Sequence, residues 1–156
     1  MLRILRKTKA YVASIIALVV GIVLGGYLFS DTQPRSFLAL HRCGGTCMQP
    51  KDLAGLMASI GIQKFPALIP SVVLETEKTI VVEHPAPEAR LHYLIFPKKD
   101  IRNIAEVSTA DEEYLLDVVR VAGELARGKN LTRYRLITNG TGFQGVTYLH
   151  FHLIAQ

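Results

Sequence analysis

Residues 144–154 read QGVTYLHFHLI, and within them residues 146–154 predict the final strand of the chain. β-branched, aromatic and other apolar residues dominate the run, which is typical of a strand. His150 and His152 alternate with apolar neighbours, so both imidazoles are expected on one face of the sheet. Two adjacent imidazoles can bind a metal, or act as a nucleophile and its helper. A hydrogen-bonded histidine pair without chemistry is the competing interpretation of this spacing.

Four more strands and two helices are predicted before this stretch. β-branched and apolar runs predict strands at 71–75, 79–83, 91–96 and 134–138. An amphipathic pattern predicts a long helix from Ser108 or Thr109 to about residue 127. A short helix is predicted from Pro50 to Gly61, where glycine would end it. This order of elements predicts an α+β domain with an antiparallel sheet.

Two of the predicted strands together resemble the signature of the histidine-triad (HIT) family. Residues 144–154 resemble its motif Q-[ST]-V-x-H-φ-H-φ-H-φ-φ, in which φ is apolar. Residues 91–101, LHYLIFPKKDI, resemble its H-φ-φ-φ-φ-P-K-x-H-φ strand. The resemblance covers roughly residues 70–156 and implies a five-stranded antiparallel sheet with one long and one short helix. Members of the family commonly pair, so a homodimer is also implied.

The resemblance implies a site for nucleotide-like substrates. In the family the middle histidine of the triad attacks an α-phosphate and forms a covalent nucleotidyl-histidine, which water resolves. That histidine corresponds to His150, and His152 corresponds to the third histidine, which contacts phosphate oxygens. His92 corresponds to the histidine of the earlier strand. Gln144 and Asn139 correspond to hydrogen-bonding neighbours of the phosphates or the sugar.

Three positions depart from the family pattern. Tyr148 stands at the first histidine of the triad, Gly145 at the phosphate-contacting Ser or Thr, and Asp100 at the histidine after P-K-x. A phenol has an unperturbed pKa of about 10 and cannot shuttle protons near pH 7 as an imidazole does. These departures favour a degenerate HIT-like domain acting as a binding or structural subunit of a membrane complex. The alternative is a nucleotide phosphoramidase or nucleotidyl hydrolase that uses His150 as its nucleophile.

The N-terminal part of the chain predicts a membrane anchor. Residues 10–30 read AYVASIIALVVGIVLGGYLFS and contain no charge, and a helix of this length crosses a hydrocarbon core of about 30 Å. Only basic charges precede it, so the positive-inside rule predicts a cytoplasmic segment 1–9, an anchor 10–30, a linker 31–36 and an exported domain 37–156 in the periplasm or its equivalent. A cleaved signal peptide competes, although the apolar run exceeds the about 7–15 residues of a signal core.

Net charge gives no support for a nucleic-acid partner. The chain has 18 Lys and Arg against 13 Asp and Glu, but four of the basic residues precede the anchor. The other 14 basic residues and all 13 acidic residues follow the anchor, so the predicted domain is almost neutral. Binding to nucleic acid requires a basic patch or stripe, and none is evident.

Two cysteines form a second constellation, Cys43-Gly44-Gly45-Thr46-Cys47. An exported, oxidising location favours a disulfide between Cys43 and Cys47, because disulfides persist in such compartments. Zinc-bearing relatives of the family carry C-x-x-C near the start of the domain, so a zinc site with His92 or the nearby His41 remains an alternative, and free thiols are a third. No other cofactor is indicated.

Overall fold

The computed structural model describes residues 2–35 and 49–156. The chain divides into two units, one reaching Asp31 and the other running from Thr32 to Gln156. His41, Cys43 and Cys47 lie outside the described residues, so the disulfide and the cysteine zinc site stay predictions.

The first unit is one helix, α1, which runs from Leu2 to Phe29. Its segment Tyr11–Phe29 has 19 residues and a mean hydropathy of 2.5. Among the described helices it alone is long and apolar enough to cross a membrane. This segment is a candidate membrane span by length and composition, criteria that an N-terminal signal sequence also meets.

The second unit is built on a five-stranded antiparallel sheet. Its strands are β1 Val72–Glu75, β2 Thr79–Glu83, β3 Leu91–Pro97, β4 Tyr134–Thr138 and β5 Phe151–Ala155. Their order across the sheet is β1-β2-β3-β5-β4, so the last strand of the chain is inserted between β3 and β4. The predicted α+β class and the five-stranded antiparallel sheet are confirmed.

The last strand starts later than the sequence predicts. The prediction placed its start at residue 146, whereas β5 begins at Phe151. The reason is that the preceding backbone bonds elsewhere: the N–H of Thr147 donates to the carbonyl of Lys51, and the N–H of Leu149 donates to that of Ile101. His150 therefore lies one residue before the strand, where the chain enters the sheet.

One face of the sheet is covered by α3, which runs from Glu112 to Gly128. A 3₁₀ turn, Thr109–Asp111, precedes the helix, and Ser108 forms a capping box with Asp111. The larger hydrophobic cluster among the described residues joins this helix to the sheet; its buried members are Val81, Tyr93, Ile95, Leu153, Val118, Val121, Ala122 and Leu125. Full burial of a Val or Leu side chain contributes about 1.5–3 kcal/mol, so this layer is a principal source of stability.

The short helix α2 runs from Pro50 to Lys64 and passes through the predicted stop at Gly61. It ends before Pro66, because the residue preceding a proline is disfavoured in the α conformation. A Cβ on Gly55 would overlap Thr147, so glycine is required where α2 contacts the segment that leads into β5. The helix thereby fixes the backbone next to His150.

Part of the predicted linker is bound to the domain. Arg35 and Asp100 form an ion pair with a 2.9 Å Nη2–Oδ1 distance, and both side chains are almost fully buried. The other carboxylate oxygen of Asp100 accepts the backbone N–H of Gln33 at 2.7 Å. Asp100, which replaces a family histidine, thus holds the segment that enters the domain.

Candidate active site

The face of the sheet opposite α3 carries the predicted site. Its residues lie in rows across the strands, because antiparallel register places them side by side. His152 pairs with Leu94 of β3 and Ile137 of β4. The next row contains His92, which pairs with Ile154, and Arg135, which pairs with Ile154 from the other side. Antiparallel pairing therefore joins His92 and His152 although they are 60 residues apart.

His150 is held in one tautomer by the backbone. Its Nδ1 lies 2.7 Å from the carbonyl oxygen of Tyr148. A carbonyl only accepts, so Nδ1 carries the proton and donates it. The neutral ring therefore has its lone pair on Nε2, which is the atom needed for nucleophilic attack.

Tyr148 affects the site through its backbone rather than its phenol. The side chain is fully buried, and its hydroxyl donates to the carbonyl of Pro97 at 2.7 Å. The ring packs in a cluster with Ile62 and Ile80. Burial, followed by the charge of Asp100, raises the pKa of Tyr148 well above its usual value of 10.0. The departure from histidine therefore leaves the tautomer of His150 fixed, since a carbonyl sets it.

A second chain of hydrogen bonds orients His152. The backbone N–H of Glu88 donates to Nδ1 of His92 at 3.2 Å, so the neutral His92 carries its proton on Nε2. That nitrogen lies 2.9 Å from Nδ1 of His152, which accepts the bond. His152 consequently carries its proton on Nε2 and offers an N–H donor. The site thus combines a lone pair on His150 with a donor on His152.

Burial keeps these three imidazoles neutral near pH 7. Burial first, and then the neighbouring His150 and His92, lower the pKa of His152 to about 4. Burial also lowers the pKa of His150 from 6.5, although the Tyr148 carbonyl opposes the effect. The pKa of His92 is lowered by burial and then by His84. The Nε2 lone pair of His150 is therefore available near pH 7 without transfer of a proton to another group.

Of the two predicted polar neighbours, one reaches the imidazoles and one does not. Asn139 follows β4, and its amide nitrogen lies 3.4 Å from Nε2 of His152. Because that nitrogen carries a proton, the amide must turn over and present its oxygen. Gln144 is buried, and its amide donates to the carbonyl of Arg102 at 3.2 Å. Gln144 thus fixes a loop, and no described hydrogen bond joins it to His150 or His152.

His84 also lies at the site, although it falls between the predicted strands 79–83 and 91–96. Its ring stacks on that of His92 with centroids 4.0 Å apart and an interplanar angle of 10°. Its centroid is 5.9 Å from that of His152. The predicted hairpin of β2 and β3 could have placed His84 next to His92, because residues that flank a hairpin loop face each other across it. The N–H of His84 indeed donates to the carbonyl of His92 at 2.9 Å.

A metal ion is the alternative occupant of this cluster. One ring nitrogen from each of His84, His92 and His152 lies within 4.8 Å of the other two. A metal-binding histidine normally donates its second ring N–H to an acceptor. Here the second nitrogens of His92 and His84 accept backbone N–H groups instead, from Glu88 and Ala86. Both neutral rings therefore carry protons on the nitrogens that a metal would need, so metal binding here would require both rings to change tautomer.

An apolar groove adjoins the imidazoles. It has a volume of about 250 Å³ and lies between α2 and the open face of the sheet. Its lining is almost entirely apolar: Met57, Ala58, Gly61, Ile62, Ile69, Ile80, Val82 and Phe96. The ring of Phe96 lies 5.4 Å from that of His150, centroid to centroid. Phe96 therefore lines the groove and also lies next to His150.

Known proteins share this architecture and sequence. The HIT domain family matches residues 69–156. An uncharacterized HIT-like protein of Chlamydia muridarum is 33% identical over 85 residues, which are 53% of this chain and 68% of that protein. The crystal structure of a HIT family hydrolase from Legionella pneumophila is 33% identical, with a TM-score of 0.56 over 60% of this chain and 88% of that one. A histidine triad nucleotide-binding protein from Candida albicans is 27% identical, with a TM-score of 0.51 over 60% of this chain and 71% of that one.

Proposed function

Because the chain belongs to the HIT family, we propose that it is a membrane-anchored hydrolase that forms a nucleotidyl-histidine at His150. The observation that carries this proposal is the 2.7 Å contact between Nδ1 of His150 and the Tyr148 carbonyl. This contact keeps the proton on Nδ1 and leaves Nε2 with a free lone pair. Burial lowers the pKa of the His150 ring, which favours its neutral form. A neutral imidazole is a competent nucleophile at phosphorus.

In the first step, Nε2 of His150 attacks the phosphorus and the bond to the leaving group breaks. The departing amine or oxygen takes its proton from solvent. The new phospho-imidazolium keeps its Nδ1 proton, and the Tyr148 carbonyl stabilises the positive charge by accepting that proton's hydrogen bond. In the second step, water attacks phosphorus, its proton passes to solvent, and His150 leaves with its lone pair on Nε2.

His152 stabilises the charge that develops on the phosphate oxygens. Its Nε2–H is oriented by the bond from His92, so it is a fixed donor before the substrate arrives. Preorganised donors of this kind contribute about 2.7–4 kcal/mol to a transition state. Before the substrate binds, the amide oxygen of Asn139 accepts the Nε2–H of His152. When the phosphate binds, the amide turns away and a phosphate oxygen accepts this N–H.

The apolar groove supports a nucleotide as the substrate class. A phosphate at His150 would place its substituent toward Phe96 and the groove lined by α2. Ligand pockets that take flat aromatic groups are mainly apolar. A nucleobase has the shape and the apolar faces that such a groove accommodates.

The basic residues at the start of α1, before the apolar segment Tyr11–Phe29, support anchoring with the N-terminus in the cytoplasm. Positive-inside orientation then places the active domain across the membrane. On this proposal the substrate is a nucleotide derivative of the exported compartment, and the membrane is the permanent partner of the protein.

The test is covalent trapping with the full chain in detergent micelles. Adenosine 5′-phosphoramidate and ADP are each mixed with the protein, the reaction is quenched in base to preserve the labile P–N bond, and peptides are analysed by mass spectrometry. We expect an adenylyl group on the peptide that contains His150, and turnover in solution. His150→Ala should remove both, with a loss of at least about 10⁴-fold, because no other group can form the bond.

Thr138→Val is the matched control. The Thr138 hydroxyl donates to the backbone carbonyl of His150 at 2.8 Å and not to a ring nitrogen, so turnover should stay within about threefold. Absence of both label and turnover with every substrate would reject the enzyme. A nucleotide that binds without turnover would instead support the binding-subunit alternative.

A further inference from the structure

We propose that the buried pair of Arg35 and Asp100 positions the nucleophile, so that the predicted linker contributes to catalysis. The effect of the pair passes through the backbone that fixes the tautomer of His150, so both are positioning residues. This inference rests on the proposed function for the role of His150. Asp100 departs from the family pattern, and its pairing with Arg35 gives that departure a function.

One peptide group connects His150 to the neighbouring loop. Its carbonyl, that of Tyr148, accepts the Nδ1–H of His150 at 2.7 Å. Its N–H, that of Leu149, donates to the carbonyl of Ile101 at 2.6 Å. Because a peptide group is planar, the bond to Ile101 sets the direction in which the Tyr148 carbonyl points. The two bonds also strengthen each other, since hydrogen bonds in a chain polarise one another.

The linker holds the loop that supplies the accepting carbonyl. At Asp100 the chain belongs to no helix or strand, so hydrogen bonds outside the sheet must place it. Arg35 pairs with one carboxylate oxygen of Asp100 at 2.9 Å, and the backbone N–H of Gln33 donates to the other at 2.7 Å. The side chain of Arg102 donates to the carbonyl of Pro34 at 3.1 Å. Three consecutive linker residues thus hold the loop on both sides of that carbonyl.

Burial makes this connection rigid. At most 4% of the surface is exposed for Arg35, Asp100, Ile101 and Leu149. Close-packed interiors transmit a displacement, because they contain little free space to absorb it. Removing the arginine leaves the carboxylate as an uncompensated buried charge. Movement of Asp100 toward water would take the adjacent Ile101 carbonyl with it and turn the peptide group that binds His150.

The experiment follows the His150 tautomer directly. Nitrogen-15 NMR of the full chain in detergent micelles distinguishes protonated from unprotonated histidine ring nitrogens, and comparison with His150→Ala assigns the His150 signals. We expect Nδ1 to be protonated in the natural protein and the two tautomers to be mixed in Arg35→Met. In the same variant kcat should fall about tenfold, the factor that one lost hydrogen bond represents, while KM changes less than about twofold.

Two further variants separate positioning from stability. Arg35→Met combined with Asp100→Leu replaces both charges by apolar groups, which preserves stability but removes the hydrogen bonds that hold the loop. Its kcat should stay low and its tautomers mixed. Arg35→Lys retains a charged donor and should recover most of the rate and the natural tautomer. The matched control is Arg120→Met, which removes an exposed arginine that pairs with Asp117 within α3 and should change neither measurement.

The two measurements keep this result distinct from that of the proposed function. If no substrate is turned over but the tautomer shifts in Arg35→Met, the positioning role stands and the proposed function falls. If the natural tautomer persists in Arg35→Met and in the double variant, the inference is overturned. Natural kcat in a stable double variant would also overturn it, since the pair would then contribute stability alone. The double variant decides the question if Arg35→Met does not fold.

Discussion

On β5, Leu153 lies fully buried against α3, whereas His152 beside it lies half-buried on the open face. The same alternation holds on β3, where Tyr93 joins the α3 core and His92 joins the imidazoles. Successive side chains of a strand point to opposite faces, so each strand serves both layers. Substitutions on adjacent residues should therefore separate stability from chemistry.

The largest expected effect on stability is at Leu153. Replacing it by Ala removes buried methyl groups beneath α3, which costs about 2–5 kcal/mol of unfolding free energy. Chemical denaturation followed by circular dichroism measures this loss. Turnover per folded molecule should be nearly unchanged, and a large drop in kcat would show that the two faces are not independent.

His152→Ala should produce the opposite result. Loss of the N–H donor should lower kcat about 10²–10³-fold, because the developing charge on oxygen loses a fixed partner. Stability should fall by about 1 kcal/mol or less, the value of the single bond from His92. The two quantities are measured on the same preparation as for Leu153→Ala, and equal kcat in both variants would contradict the assignment.

Tyr148→Phe tests a residue that lies close to His150, in the segment that leads into β5, but whose side chain acts in packing. The change removes the hydroxyl that donates to the Pro97 carbonyl and should cost about 1–3 kcal/mol. Activity should persist, since the backbone carbonyl that fixes His150 is retained. Tyr148→His, which restores the family residue, should be less stable than Tyr148→Phe because it also leaves a cavity. Selective loss of activity in Tyr148→Phe would assign the phenol to the chemistry.

The smallest effect is the pH dependence of stability. The folded pKa values of His92, His150 and His152 all lie below the usual 6.5. The unfolded chain therefore binds more protons between pH 6.5 and about 4, and stability should fall as pH decreases through this window. Because His152 is half-buried, the slope should be only a fraction of the about 1.4 kcal/mol per pH unit for one full proton. His152→Gln should flatten the curve in urea titrations at pH 7 and pH 5, and an unchanged curve would assign the slope to other groups.

The amino-acid sequence by itself predicts much of the fold and the two histidines at the centre of the site. Period-two alternation around His150 and His152 is a local property, so it predicts a strand and a shared face without tertiary information. The charge-free run of α1 likewise identifies a candidate span by length and composition. Asn139 and His92 were predicted from the family motif, and the structure brings both to His152.

Tertiary structure alone decided how these groups are protonated and what surrounds them. The tautomer of His150 depends on a carbonyl, and carbonyls carry no sequence signal. His84 enters the site only through the register of the β2–β3 hairpin, and Gln144 leaves it because the loop of Arg102 binds its amide. The buried pair of Arg35 and Asp100 joins residues 65 positions apart. Pairings at such separations depend on how the chain closes on itself, whereas local patterns depend only on each residue and its neighbours.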